Sequence, residues 1–179
     1  VYDRARMCKE LDTIVVLTDD NRIRQYCSKN EIRCIVVEED CITGTDRCSE
    51  ALALCDGNIF VNIQGDEPLI NPDAVDKLIR EHDLNIGVSN AYVKVTDDYK
   101  LHDKNVVKVV TDVNSNAVYY SRLPIPYLQK EEVTFKQQLG LYVFNRSMLE
   151  LFPRLIVGEN EKAESVEMLR YIENGYAVR

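Results

Sequence analysis

An α/β protein built on a doubly wound, mostly parallel sheet, with a β-rich extension, is the fold class this sequence predicts. Three observations carry it. Residues 13–18 (Thr-Ile-Val-Val-Leu-Thr) are apolar on both faces, as strands of a covered parallel sheet are. Strand-like runs alternate with helical patterns through the first half, which implies βαβ crossovers. The second half carries closely spaced strand patterns joined by turn residues.

The elements follow in order. Residues 2–11 read as a helix and 13–18 as the first strand. Asp19 or Asp20 can cap a helix running to about Lys29. Residues 32–37 form a second strand, 45–55 a helix with Ala51, Leu52 and Leu54 as apolar surface, and 58–63 a third strand. Pro72 suits the first turn of a helix reaching about Glu81. Strands are then expected at 88–95, 106–111, 117–121 and 139–144, with Asn114-Ser115-Asn116 as a turn. A helix over 163–173 would place Val166, Leu169 and Ile172 on one face and stop at Asn174-Gly175. Residues 176–179 read as the start of another strand. No repeat or linker interrupts the chain, so one domain over 1–179 is expected. The chain opens directly into a helix, whereas a doubly wound sheet normally opens with a strand and a phosphate-binding loop. The expectation is therefore a domain truncated at both ends.

Composition narrows the function. Of the 179 residues 45% are hydrophobic and 29% charged, which fits a globular protein. No apolar run approaches the ~20 residues of a membrane span. A net charge of −8 argues against nucleic acid as a partner, though not against small anions in a locally basic pocket. Five of six cysteines (Cys27, Cys34, Cys41, Cys48, Cys55) fall seven apart. A coiled coil is rejected, because the segment crosses a β-like run and a Thr-Gly-Thr loop. Zinc is rejected for want of a C-x-x-C or nearby histidines. Buried thiols in a reducing cytoplasm are the preferred reading.

Five strings carry candidate chemistry, each with a bland alternative. Gln64-Gly65-Asp66-Glu67-Pro68 follows a strand at the sheet's carboxyl edge, where open α/β sheets bind ligands, and Asp66 suits Mg²⁺. It could also be a polar turn before a helix. Thr43-Gly44-Thr45-Asp46-Arg47 opens a helix whose N–H groups, hydroxyls and arginine suit a nucleotide, or it is an ordinary threonine cap. Arg122, ahead of two prolines, can grip a carboxylate, or it is a surface arginine. Gln138, Gly140 and Tyr142 share one strand face and could line a pocket or merely face a core. Glu164 and Glu167, three apart, could receive sugar hydroxyls from one helix face, or form a solvated acidic face.

Together and in this order these strings, with Tyr2-Asp3-Arg4-Ala5, Asn105 to Val110, Tyr120 to Pro126 and Leu169-Arg170, resemble the 3-deoxy-manno-octulosonate cytidylyltransferase (CMP-Kdo synthetase) family over nearly the whole chain. The resemblance implies a nucleotide-diphospho-sugar transferase-like, Rossmann-like fold. It implies that an acidic eight-carbon sugar attacks the α-phosphorus of CTP, giving CMP-sugar and pyrophosphate with Mg²⁺. It implies Asp66 as metal ligand and, with Arg122, catalytic residue. Gly44, Thr45, Arg47 and Gln64 would serve the nucleotide. Gln64, Arg122, Gln138, Tyr142, Glu164 and Glu167 would serve the sugar. It further implies a cytoplasmic homodimer feeding bacterial lipopolysaccharide or capsule synthesis.

The family's Pro-Ala-Arg and Gly-Lys-Pro segment and its Val-Asp-Thr-Pro are not in this sequence, so the 179 residues alone are expected to be inactive. Gln138 stands where the family often has His, and Met168 where it often has Gln. Both positions are expected on the sugar side, which points toward an 8-amino or otherwise altered analogue. The alternatives are a nine-carbon, acylneuraminate-type enzyme, which usually carries a different string at 64–68, and an inactive nucleotide-binding domain.

Overall fold

The computed structural model describes residues 1–37, 41–129 and 134–179. In chain order the elements are α1 (Tyr2–Ala5), β1 (Val16–Thr18), α2 (Asn21–Lys29), β2 (Cys34–Val36), α3 (Gly44–Glu50), β3 (Ile59–Ile63), α4 (Pro72–Arg80) and β4 (Val88–Val95). Then come α5 (Asp98–His102), β5 (Lys108–Thr111), β6 (Ala117–Ser121), β7 (Phe135–Asn145), α6 (Arg146–Leu151), α7 (Glu159–Glu164) and α8 (Met168–Glu173). The alternating first half and strand-rich second half are as the sequence predicts.

Local chemistry sets the helix starts. Asp20 caps α2 by accepting from Arg22 N at 2.7 Å. Thr43 caps α3 in a reciprocal box: its hydroxyl accepts from Asp46 N at 3.1 Å, and the Asp46 carboxylate accepts from Thr43 N at 3.0 Å. Asn71 caps α4, with Pro72 in the first turn.

The first helix stops at Ala5 rather than Leu11. Lys9 N and Glu10 N donate instead to the Asp76 carboxylate on α4, at 2.9–3.1 Å, which draws this backbone out of a helical path. The expected helix over 163–173 also divides, at Ser165, which adopts the left-handed conformation (φ 52°, ψ 50°). The Glu164 carboxylate is held by Ser121 Oγ (2.7 Å) and Arg122 N (2.8 Å), while Glu167 accepts from Thr45 N (3.1 Å). An unbroken helix would point both side chains the same way. The break lets each meet its own partner, and α8 folds back so that Glu173 caps the start of α7 through Asn160 N and Glu161 N.

The sheet pairing is mixed. β1 and β2 pair in parallel. In the five-stranded sheet the long β7 lies between β3 and β4 and runs against both, so these two strands point the same way without pairing. β5 pairs antiparallel with β6 and with β7. β7 begins at Phe135, earlier than its apolar residues alone indicate, because the polar Lys136 to Gln138 pair on both edges. The last residues do pair as a strand begins to. Arg179 donates to Val88 O and accepts from Asn90 N, the pattern of a parallel bridge to β4.

One core lies under the face carrying Val88, Tyr142 and Phe144, covered by Leu149, Phe152, Leu169 and Tyr171. Phe152 and Tyr171 rings sit 5.2 Å apart, within the range of favourable aromatic pairs. A smaller core around Ile70, Val75 and Leu141 packs α4 on the other face.

Candidate active site

Two strand ends converge on one stretch of β7. Ile63 of β3 lies opposite Leu141, and Gln64 N continues the ladder to Gly140 O at 2.9 Å. Ser121 of β6 lies opposite Lys108 of β5, which lies opposite Gln137. Residues 64–68 and Arg122 therefore leave the sheet at the level of residues 137–141. β7 is irregular there: against β4 the register jumps between Asn90 and Tyr92. The buried Asn90 amide repairs the gap, donating at 3.0 Å to both Leu139 O and Leu141 O.

Glu167 is the polar hub beneath this edge. It is buried and accepts from Thr45 N (3.1 Å) and from Gln64 Nε2 (3.3 Å). Burial raises its pKa above the ordinary glutamate value, against the lowering effect of the Thr45 N–H. Thr45 and Gln64, predicted on the nucleotide side, and Glu167, predicted on the sugar side, thus meet. Tyr142 joins them: burial first, then the Glu167 and Asp66 charges, drive its pKa well up, so it remains a neutral phenol. Gln138 Nε2 reaches the Tyr142 hydroxyl at 3.4 Å.

The glycine at 140 has a different use from the one expected. A Cβ there would come within 2.8 Å of Gln64 Oε1 and 3.1 Å of Gln64 Cβ. The missing side chain makes room for Gln64, not directly for a ligand. Glu67 ties down the same turn by accepting from Gly140 N at 3.0 Å.

Within the fold, the main-chain N–H groups of Thr45, Asp46 and Arg47 in the 43–47 string and the Arg47 side chain are already engaged. Glu167 takes Thr45 N, Thr43 takes Asp46 N, and Arg47 N donates to Thr43 O. Arg47 pairs with Asp19 at 2.7 Å and reaches Val37 O at 3.3 Å, joining α3 to the ends of β1 and β2. Asp46 pairs at 2.8 Å with Arg170, only 2% exposed, which also grips Glu161 at 2.7 Å and stacks on Phe152 at 3.9 Å. Gly44 lies on the buried Asn62, whose Nδ2 has no hydrogen-bond partner among the described residues, nor has Thr45 Oγ1.

Asp66 and Arg122 do not pair with one another. The Asp66 carboxylate is exposed, and no hydrogen bond or ion pair engages it among the described residues. Arg122 donates to three backbone carbonyls: Glu164 O (2.6 Å), Lys104 O (3.0 Å) and Ser165 O (3.3 Å). Glu164 and Glu167 serve different partners, which corrects their expected shared helix face. Met168 is wholly buried in the core, so it does not face out on the sugar side as expected, whereas Gln138 is half-buried on β7.

Sequence reading gave no role to Asn62 or Asn90, and took Lys108 and Arg170 only as part of the family resemblance. Asn62 and Asn90 had a signal, polar residues on inner strand faces opposite Tyr142. Lys108 had one also, a lysine within an apolar strand. Among the described residues no group of three His, Cys, Asp or Glu side chains could hold a metal ion, and no helix is long and apolar enough to cross a membrane. Of the cysteines only Cys27 is buried and the other five are half-buried, which corrects the expected set of buried thiols; desolvation still pushes the Cys48 thiol up to about 12.

The fold, taken with the comparisons that follow, defines a nucleotidyltransferase. A solved CMP:2-keto-3-deoxy-manno-octonic acid synthetase complexed with CTP superposes with a TM-score of 0.91 at 31% identity, over 99% of this chain and 75% of that one. The family model for cytidylyltransferases matches residues 1–178, and the chain belongs to that family. It is 38% identical to the 3-deoxy-manno-octulosonate cytidylyltransferase of Solibacter usitatus, covering all of this chain and 73% of that protein. It is 35% identical to the 8-amino-3,8-dideoxy-manno-octulosonate cytidylyltransferase of Shewanella pealeana, covering 76% of it. The inositol-1-phosphate CTP transferase of T. maritima, at 16% identity and a TM-score of 0.66, shares the fold.

Proposed function

We propose that this protein transfers a cytidylyl group from CTP to an eight-carbon acidic sugar, 3-deoxy-manno-octulosonate or its 8-amino analogue. The anomeric hydroxyl attacks the α-phosphorus, CMP-sugar forms and pyrophosphate leaves. The observation carrying this reading is the convergence of the 64–68 turn and Arg122 on one stretch of β7, in a chain of the cytidylyltransferase family. Both relatives named above act on eight-carbon sugars, which favours this reading over the nine-carbon one.

Asp66 fits a magnesium ligand. Mg²⁺ binds through one or two carboxylates and keeps its remaining positions for phosphate oxygens and water, and Asp66 is an exposed carboxylate with no competing partner among the described residues. When bound there, the ion would supply charge neutralisation to the phosphates. The chain's own groups orient the reactants. Gln64, held between Gly140 and Glu167, has a fixed position from which to present its amide. Tyr142 and Gln138 offer neutral hydrogen-bonding groups to sugar hydroxyls, and Arg122 offers charge to the sugar's carboxylate. Thr45, Gly44 and Arg47 act on the nucleotide indirectly, by fixing the floor beneath Gln64. Gln138, the half-buried departure, is the residue for choosing between the hydroxyl and amino sugars.

We further read the protein as a cytoplasmic homodimer supplying bacterial lipopolysaccharide or capsule. The test of the reaction is a substrate screen of the full-length protein with CTP, Mg²⁺ and several ulosonic acids. CMP-sugar and pyrophosphate are expected with eight-carbon acids, and turnover only with a nine-carbon acid, or with none, would contradict the reading.

A further inference from the structure

Lys108 is wholly buried at the start of β5, a strand otherwise made of Val109, Val110 and Thr111. Burying an ammonium is costly unless it is paired, and among the described residues no carboxylate lies within ion-pair distance of Lys108. Its Nζ donates instead to three backbone carbonyls: Asp103 O (3.0 Å), Val106 O (2.7 Å) and Arg122 O. Arg122 repeats the pattern, with its guanidinium on carbonyls and no ion pair. The two cations are laced through one loop, since Lys108 takes the carbonyls of 103 and 106 and Arg122 takes that of 104.

The two acids whose charges act on Lys108 are engaged elsewhere: the Asp103 carboxylate accepts from Asn105 N, and that of Glu164 from Ser121 Oγ and the Arg122 main-chain N–H. Two positive charges thus stand together at the end of β6, hydrogen-bonded by neutral carbonyls, with the Asp103 and Glu164 carboxylates near but not paired with them. Three of the five Arg122 donors are engaged, which leaves N–H groups for an incoming anion. Carbonyl acceptors orient a guanidinium without neutralising it.

We propose that Lys108 is the positioning residue for Arg122, and that the pair forms the charge complement for the carboxylate of the acidic sugar. This rests on the reading that Arg122 faces that carboxylate. Lys108 touches no substrate itself. It fixes the Arg122 main chain at the end of β6, sets the 103–106 loop against which the guanidinium leans, and adds a buried positive charge behind it.

The test is steady-state kinetics of the full-length protein carrying Lys108→Met, Lys108→Arg, Arg122→Met and the double change Lys108→Met with Arg122→Met. Lys108→Met is expected to raise the KM for the sugar acid ~10-fold or more, a usual penalty for a mispositioned binding group, while the KM for CTP moves less than ~2-fold. Lys108→Arg, which keeps the charge and the donors, is expected to recover most of the loss. The double variant is expected to be no worse than Arg122→Met alone, because the two act as one unit. If Lys108→Met melts below the assay temperature, Lys108→Gln replaces it in the same comparison. A sugar KM unchanged by Lys108→Met while Arg122→Met raises it overturns the inference alone. Equal losses for sugar and CTP reduce Lys108 to a structural role and overturn it too. If Arg122→Met leaves the sugar KM untouched, the underlying reading of Arg122 falls instead.

Discussion

The 43–47 string and the 64–68 string look alike as sequence: each is a short polar run with a glycine and an aspartate, placed just before a helix. The folded protein treats them oppositely. Asp46 lies in a buried cluster, shared between the cap of α3 and Arg170, which in turn holds Glu161. Asp66 stands exposed with no partner among the described residues. A carboxylate whose lone pairs are already taken holds architecture together; one whose lone pairs are open can take a ligand. The first string is committed to packing, and the second carries the carboxylate that the proposed function assigns to the ligand.

Breaking that packing should give the largest effect. Arg170→Met leaves the Glu161 carboxylate buried without its cation and leaves Asp46 to Thr43 alone, and is expected to lower unfolding free energy by ~3–5 kcal/mol in denaturant titration. A loss below ~1 kcal/mol would show that the cluster is no keystone. Next comes the joint between the two strings. In Gly140→Ala the new methyl would press Gln64 off its seat, and kcat/KM is expected to fall ~10-fold, with less than ~1 kcal/mol of stability lost. An unaltered kcat/KM would mean that the position of Gln64 is immaterial.

The smallest effect concerns Glu167, beneath both strings. Its folded pKa is raised by burial, so the folded state binds more protons than the unfolded chain as pH climbs from the ordinary glutamate value through the raised one. Its contribution is therefore present at low pH and diminishes as pH rises through that window. Glu167→Gln removes this dependence, and the difference in melting temperature between variant and wild type is expected to move in favour of the variant with rising pH. A difference that stays flat or moves the other way would show that hydrogen bonds from Thr45 and Gln64 outweigh burial.

Much of this comparison was open to sequence reasoning, and part was not. β4 and β6 lie where their patterns place them, and Asp20, Thr43 and Pro72 act as their chemistry dictates. Of the candidate residues, Thr45, Gln64 and Glu167 meet, and Gln138 meets Tyr142, while Arg47 and Arg122 are engaged elsewhere. What escaped was decided by partners far along the chain. Asp76 halts the first helix through Lys9 and Glu10, and Glu164 and Glu167 force a left-handed Ser165 because each answers a different strand or helix end. The insertion of β7 between β3 and β4 has no local signature, since its first residues are polar and its pairing is set by both neighbours. Nor could sequence tell a committed aspartate from an open one, because that depends on Arg170, 124 positions beyond Asp46.

The most direct measurement is Asp66→Asn in the full-length protein, followed by both unfolding and CMP-sugar formation. The expected result is stability within ~0.5 kcal/mol of wild type, as for an exposed side chain without partners, and turnover reduced at least ~100-fold. Turnover within threefold of wild type, at unchanged stability, would contradict the assignment of Asp66 to the chemistry.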